Sequence, residues 1–259
     1  MSQLPDVHAR ADVRGIALAE VGVRGVAAQI TLDGWLGSEL PVAATCALYA
    51  SLPADRRAGH LSRFGEALGA LCEHPLSASH LCEAAGDLAR RLEADRAGLR
   101  LEFSQLVPRA APVSGAVGMT RIDCAIAAQW HTGAVEFWQE VSTLVQTVCP
   151  CSKEMAARGA HNQRCRVTAR VQSVGGLAQQ ELIALLEAGG SAQVYPVLKR
   201  MDEKLLTERA YDHPAFVEDV VRDLAIALSR QAHALRYRVE AQSQESIHPH
   251  DAYALAEGP

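Results

Sequence analysis

Two alternating runs, Thr120–Trp130 and Val135–Thr147, are separated by only the four residues His131–Ala134. A connection that short joins antiparallel neighbours, because parallel strands need a crossover of about a dozen residues or more. The middle of the chain is thereby committed to an antiparallel hairpin. Ile16–Leu32 alternates loosely and carries glycines, and it reads as paired strands with a turn near Gly22–Gly25. Leu99–Val107, Arg164–Val174 and Tyr237–Ser243 read as further strands, the second ended by Gly175-Gly176 and the third the last in the chain. The N-terminal arm to about Gly15 reads as extended, and Ala43–Leu52 has no definite reading.

Helical spacing marks Arg63–Leu71, His80–Ala97, Ala178–Glu187 and Pro214–Tyr237, the last most strongly. In His80–Ala97, Leu81, Ala84, Ala85, Leu88 and Leu92 fall on one face, and Gly98 is the expected stop. Cys149–Gly159 reads as a short helical turn. Each half thus carries two strands, helical segments and at least one more strand. No repeat of fixed period and no long linker separates them. The boundary is expected between residues 118 and 119, giving halves 1–118 and 119–259.

The chain has 259 residues, 49% apolar and 21% charged, an ordinary globular composition. A chain this long can bury about 70–75% of its unfolded surface, so its core needs no disulfide staples. The net charge of −5 disfavours a protein that reads duplex nucleic acid through its phosphates. The opening MSQLPDVHARADVR lacks the apolar core of a secretory signal, and the longest near-apolar run, Val42–Leu52, is too short to span a bilayer as a helix. Seven scattered cysteines then read as reduced thiols in the cytoplasm, most of them small core residues.

Cys149 and Cys151 stand apart. They flank Pro150 at the end of a strand, in Thr147-Val-Cys-Pro-Cys-Ser-Lys-Glu154, with Ser152 as the expected helix N-cap. A thiol at a helix N-terminus has its thiolate favoured, and thiolate is the nucleophilic and metal-binding form; Lys153 adds positive charge. His161, in Gly-Ala-His-Asn-Gln-Arg164, follows Cys149 by twelve residues, far enough for the chain to fold back on itself. This is no zinc-finger spacing. Two local ligands and one from afar would leave an open position, as a catalytic metal requires. Asp202 and Glu203 are equal candidates for the third, in a charged segment that also reads as a solvated helix face with Lys199–Glu203 and Lys204–Glu208 pairs.

Glu218 lies at the edge of the stripe formed by Val217, Val220, Val221, Leu224 and Leu228, so it is expected to be part-buried. Its partner is either Arg222 or the N–H edge of a heterocycle. His248 and His250 flank a proline in a tail that suits acid/base work. Arg56, Arg57 and Arg63, in the densest cationic stretch of the first half, suit phosphate.

The segments LPADRRAGHLSRF, CPCSKEM, GAHNQR, VYPVLKRMDEK, TERAYDHPAFVEDVVRD and ESIHPHDAYA, taken in order, resemble the prokaryotic type IB GTP cyclohydrolase I family. Ala58 and Leu61 replace the family's usual Thr and Met, and Cys165 its usual Ser. The resemblance implies an α+β chain of tandem tunnelling-fold (T-fold) units, with antiparallel sheets and paired helices, assembled as a dimer-based homotetramer with active sites between subunits. It implies conversion of GTP and water to 7,8-dihydroneopterin triphosphate and formate, the entry to folate-type pterins. Cys149, His161 and Glu203 are the implied ligands of one divalent ion per site, zinc, manganese or iron. Glu218 is the implied guanine anchor, and His248 and Cys151 the implied acid/base or positioning groups. Arg56, Arg57, Arg63 and Lys153 are candidates for the triphosphate. The competing reading within the same fold is a nitrile reductase with a cysteine nucleophile; a metal-stabilised assembly protein without turnover is the non-enzymatic one. Neither nucleic acid nor membrane is an expected partner.

Overall fold

Glycine decides the first sheet pairing. The computed structural model describes residues 11–33 and 39–259, so most of the expected N-terminal arm lies outside the described residues. Leu18–Leu32 (β1) is one strand, antiparallel to Leu40–Leu52 (β2), and the turn expected near Gly22–Gly25 is absent. At Gly22 a Cβ would lie 1.9 Å from the Leu48 carbonyl oxygen, so the two backbones meet where no side chain fits. Gly25, with φ +72°, falls in the register shift between Val23 and Val26. These glycines serve close approach and a bulge rather than a chain reversal.

Leu61–Leu71 (α1) and Ala78–Leu92 (α2) follow. Ser77 caps α2 by accepting the His80 N–H at 3.1 Å, and Leu81, Ala85 and Leu88 are buried as their spacing predicts. The helix stops at Leu92, earlier than expected, on Glu93 in the left-handed region (φ 51°). Gly98 is therefore not the stop. It lies inside Arg96–Ala110 (β3), where a Cβ would meet the Tyr49 ring at 2.5 Å.

Val117–His131 (β4) and Ala134–Val148 (β5) form the expected hairpin. Its turn residues Thr132 (φ 45°) and Gly133 (φ 92°) both have the positive φ of the tight turns that match strand twist. Then come Pro150–Met155 (α3), Asn162–Ser173 (β6), Gln179–Ala188 (α4), Ala192–Gln193 (β7), Arg200–Asp212 (α5), Val217–Ser229 (α6), Ala234–Ser243 (β8) and Ala252–Gly258 (β9).

The long helix expected over Pro214–Tyr237 is shorter than its pattern. It ends at Ser229, and backbone bonds from Gln231 to Leu228 and from Ala234 to Gln231 turn the chain into β8. Pairing of β8 with β6 and burial of Val239 and Ala241 override the helical propensity of the Ala/Leu/Arg-rich stretch. Tyr237–Ser243 is not the last strand either, since β9 pairs antiparallel with β8.

The chain divides into two compact units. One holds residues up to Phe103 with Ala125–Trp138, the other Ser104–Cys124 with Gln139–Pro259. In the first, hydrogen-bonded neighbours run β1-β2-β3-β4-β5, and Leu48, Phe64, Leu88 and Leu99 lie in the core. In the second they run β3-β4-β5-β6-β8-β9 with β7 on β5, and α6 packs its Val220, Leu224 and Leu228 stripe toward β8 and β9. The described chain is thus a mixed α+β protein built on antiparallel pairings. No helix among the described residues is long and apolar enough to cross a membrane.

Candidate active site

The end of β5 feeds directly into the Cys-Pro-Cys segment. Pro150 occupies the first turn of α3, where a missing N–H costs nothing, so the cap is Cys149 rather than Ser152. The Cys149 sulfur accepts the Ser152 N–H at 3.5 Å. Ser152 has a different role: its hydroxyl donates to the Cys149 carbonyl at 3.1 Å and accepts the His161 N–H at 3.1 Å. The Cys149 N–H closes the ring on the His161 carbonyl, also at 3.1 Å. The expected fold-back is therefore present, with the backbones of Cys149 and His161 bonded to each other and clamped by one hydroxyl.

The His161 ring faces a second partner, Gln163, with Nδ1 3.0 Å from Oε1. The Gln163 amide nitrogen in turn donates to the Glu245 carboxylate at 3.3 Å. Sequence reasoning missed both residues. Their only signal is position: Gln163 stands two residues after His161, and Glu245 opens the segment that carries the tail histidines.

Asp202 and Glu203, equal as candidates in the sequence, have separate fates. Asp202 is fully buried. It accepts the Val113 N–H (2.8 Å), the Ser114 N–H (2.9 Å), the Ser114 hydroxyl (2.6 Å) and the Lys199 N–H (2.8 Å). Burial opposes its charge, but these bonds prevail and hold the carboxyl far below the usual carboxylate range. Its oxygens are spent on the start of α5. Glu203, one residue on and about 100° around the helix, is exposed and lines a cavity of about 430 Å³ with Gln146, Asn162, Gln163, Arg164 and Tyr195. A small apolar cluster, Val148, Ala192, Leu206 and Ala210 with Ala160, seats α5 beside the end of β5 and the loop before His161. Lys204 and Glu208 pair at 2.6 Å as expected.

Glu218 departs from expectation. It is exposed rather than part-buried, and Arg222 pairs with Asp219 at 3.4 Å instead. Asp219 also accepts the Phe216 N–H at 3.1 Å, which draws the helix's first turn and Arg222 to that carboxylate. Cys151 is exposed on α3. His248 and His250 lie exposed between β8 and β9, their rings stacked with centroids 5.2 Å apart.

Three candidate phosphate cations have protein partners. Arg56 pairs with Glu93 and donates to the Leu92 carbonyl at 3.1 Å, while Arg63 donates to the Arg91 carbonyl at 2.9 Å. Both satisfy the C-terminal carbonyls of α2. Lys153 donates to the Tyr211 carbonyl at 2.5 Å and stands 4.4 Å from the centre of its ring. Arg57 is exposed.

Of the cysteines, Cys46, Cys124 and Cys165 are buried. Burial pushes the Cys124 and Cys165 thiols up to about 12, so both stay protonated. Accessible thiol chemistry in the second unit therefore belongs to Cys149 and Cys151. Among the described residues no three Cys, His, Asp or Glu side chains are gathered into a ready ligand set. The donor chemistry of Cys149, His161 and Glu203 suits a divalent ion: one sulfur, one imidazole nitrogen and one carboxylate, three donors of the kind a catalytic ion takes.

A family model described as type I GTP cyclohydrolase folE2 matches residues 4–254. The chain is 40% identical to GTP cyclohydrolase FolE2 of Bordetella petrii over 255 residues, covering 98% of this chain and 96% of that one. It is 37% identical to the protein of the same name from Halorhodospira halophila, covering 98% of each. Among solved structures, uricase from Arthrobacter globiformis superposes with a TM-score of 0.52 at 7% identity over 92% of each chain. A urate oxidase variant from Bacillus sp. TB-90 gives 0.51 at 9% over 93% of this chain and 99% of that one. At such identities the likeness is one of fold alone.

Proposed function

The chain belongs to the type I GTP cyclohydrolase FolE2 family and is a GTP cyclohydrolase, and from that premise we propose how its residues divide the work. The reaction takes GTP and water to 7,8-dihydroneopterin triphosphate and formate. Cys149, His161 and Glu203 hold one divalent ion, zinc, manganese or iron. Such an ion would supply Lewis acidity, activating water for attack at guanine C8, which is a poor electrophile toward neutral water. The observation that supports this reading is the clamp joining the backbones of Cys149 and His161, two residues with unlike donor side chains within the matched segment.

The remaining roles belong to side chains that face solvent in the single chain. Glu218 accepts N1–H and the exocyclic amine of guanine, and its exposure with Arg222 engaged elsewhere leaves the carboxylate available. His248 carries protons to and from the purine ring and the opened intermediates, and Cys151 positions or protonates from α3. Exposure of Glu203, Glu218, Cys151 and His248 together supports sites completed between subunits of a dimer-based tetramer. We read the two units as tandem tunnelling-fold modules and the folate-type pterins as the product's destination.

The test is turnover. Purified chain reconstituted with each of the three metals is given GTP, and formate and pterin are measured together. Equal molar formation of both is expected with at least one metal; formation of neither with any metal would overturn the reading. Mixing a Glu218→Gln chain with a Cys149→Ala chain under proven subunit exchange should restore part of the activity, and no restoration would refute the shared site.

A further inference from the structure

Glu203 is held in place by its helix alone. Its carboxylate has no hydrogen-bond or ion-pair partner among the described residues, and it opens on the cavity that Asn162, the neighbour of His161, also borders. Where that carboxylate stands is therefore decided by the rotation of α5. Successive helical residues point about 100° apart, so turning α5 by that angle would exchange the places of Asp202 and Glu203.

Two kinds of contact fix the rotation. The buried stripe of α5 is Asp202, Leu206 and Ala210, each four residues from the next. Leu206 and Ala210 pack in the apolar cluster with Val148 and Ala192, which alone would tolerate some slippage. Asp202 stands at the head of that stripe, and polar geometry there admits one arrangement. One oxygen accepts the Lys199 N–H at 2.8 Å, reaching back to the residue before the helix, and the Ser114 hydroxyl at 2.6 Å. The other accepts the Val113 and Ser114 N–H groups at 2.8 and 2.9 Å. Three of these four donors come from the connection between β3 and β4. Just beyond it, a Cβ on Gly118 would lie 2.6 Å from Pro196 Cγ and 2.8 Å from Val197 Cγ2, so the chain entering α5 rests directly on the β4 backbone. An apolar side chain could fill the place of Asp202; what the buried carboxylate adds is a unique register, the best-attested use of such a group.

We propose that Asp202 and Ser114 are positioning residues for metal binding: they pin the first turn of α5 to the β3–β4 connection and so present Glu203, rather than its neighbour, to Cys149 and His161. This rests on the reading of Glu203 as a metal ligand. The two adjacent carboxylates divide the work, one spent on backbone and hydroxyl donors so that the other stands free in a fixed direction. The metal site thereby depends on a serine 88 residues from Asp202 that offers the ion no donor.

The test is zinc affinity of the full-length chain, by chelator competition or by direct titration where binding is weak, in wild-type and Glu203→Ala backgrounds. Ser114→Ala removes one donor and keeps the backbone bonds. It is expected to weaken zinc binding about tenfold in the wild-type background, and Ser114→Thr, which keeps the hydroxyl, to stay close to wild type. Asp202→Asn should weaken it further, since either orientation of the amide sets an NH₂ against a backbone N–H. In the Glu203→Ala background neither change should weaken zinc again, because the residue being positioned is gone. Equal weakening in both backgrounds would reduce Asp202 and Ser114 to general structural roles and overturn the proposal, as would wild-type affinity in Ser114→Ala and Asp202→Asn. Should Asp202→Asn misfold, the Ser114 pair decides. A Glu203→Ala chain that holds zinc as tightly as wild type would instead overturn the ligand assignment beneath the proposal.

Discussion

Ser152→Ala removes one hydroxyl and two hydrogen bonds, and their geometry sets the cost. The Cys149 carbonyl still accepts the Lys153 N–H at 3.1 Å after the change, so it is not orphaned. The His161 N–H is, because the hydroxyl is its partner at 3.1 Å. Two neutral bonds at about 0.5–1.5 kcal/mol each give a loss near 2 kcal/mol. For chains of roughly 150–250 residues that corresponds to a melting temperature lower by ~4–8 °C. With Cys149 and His161 as the proposed metal ligands, the functional cost should exceed this general one, and zinc affinity should fall by about tenfold or more. Ser152→Thr keeps the hydroxyl and should recover most of both. The assay is thermal unfolding with and without zinc, alongside chelator competition. An alanine variant that melts with wild type and binds zinc equally would refute the clamp.

Three other outcomes follow from the geometry. With Glu218 as the proposed guanine anchor, Glu218→Gln should lower GTP turnover about a hundredfold or more, since two charge-assisted bonds of roughly 1.5–3 kcal/mol would be compromised; its melting point should hold, and Arg222→Gln should turn over normally because Arg222 serves Asp219. The depressed carboxyl of Asp202 contributes stability that is fully present above the unfolded-state value near 4 and is lost as pH falls below it, so the stability gap between wild type and Asp202→Asn, followed by urea titration, should narrow from pH 5 toward pH 2. Gly22→Ala puts a methyl 1.9 Å from the Leu48 carbonyl oxygen and should lower stability to urea by about 1–3 kcal/mol or more, and an unchanged unfolding midpoint would contradict the β1–β2 register.

Much of the architecture is readable where periodicity and turn chemistry agree. The β4–β5 hairpin, the α2 stripe and the fold-back of His161 onto Cys149 are of this kind. The misreadings of strand and turn share a cause: a residue's local tendency yielded to a partner distant in sequence. Gly22 looks like part of a turn, and Gly98 like a helix stop, until β2 is laid against them. Residues 234–237 look helical until β6 pairs with them, and the last strand becomes a strand only by lying on β8. At the site, adjacent carboxylates such as Asp202 and Glu203 are distinguished only by which side of α5 meets Val113 and Ser114. Gln163 and Glu245 carry no motif of their own because their link is a cross-strand register, which no spacing along the chain encodes. Gln163 stands inside GAHNQR and Glu245 opens ESIHPHDAYA, so the family resemblance covered both without giving either a task.

We propose that Cys149, His161 and Glu203 together bind one divalent ion with an open position. Its most direct test is metal content per chain, measured after reconstitution and desalting for wild type and for Cys149→Ala, His161→Ala and Glu203→Ala, with secondary structure followed in parallel. A stoichiometric ion is expected in wild type, with its loss or marked weakening in each folded variant. Three folded variants that all keep a full complement would contradict it.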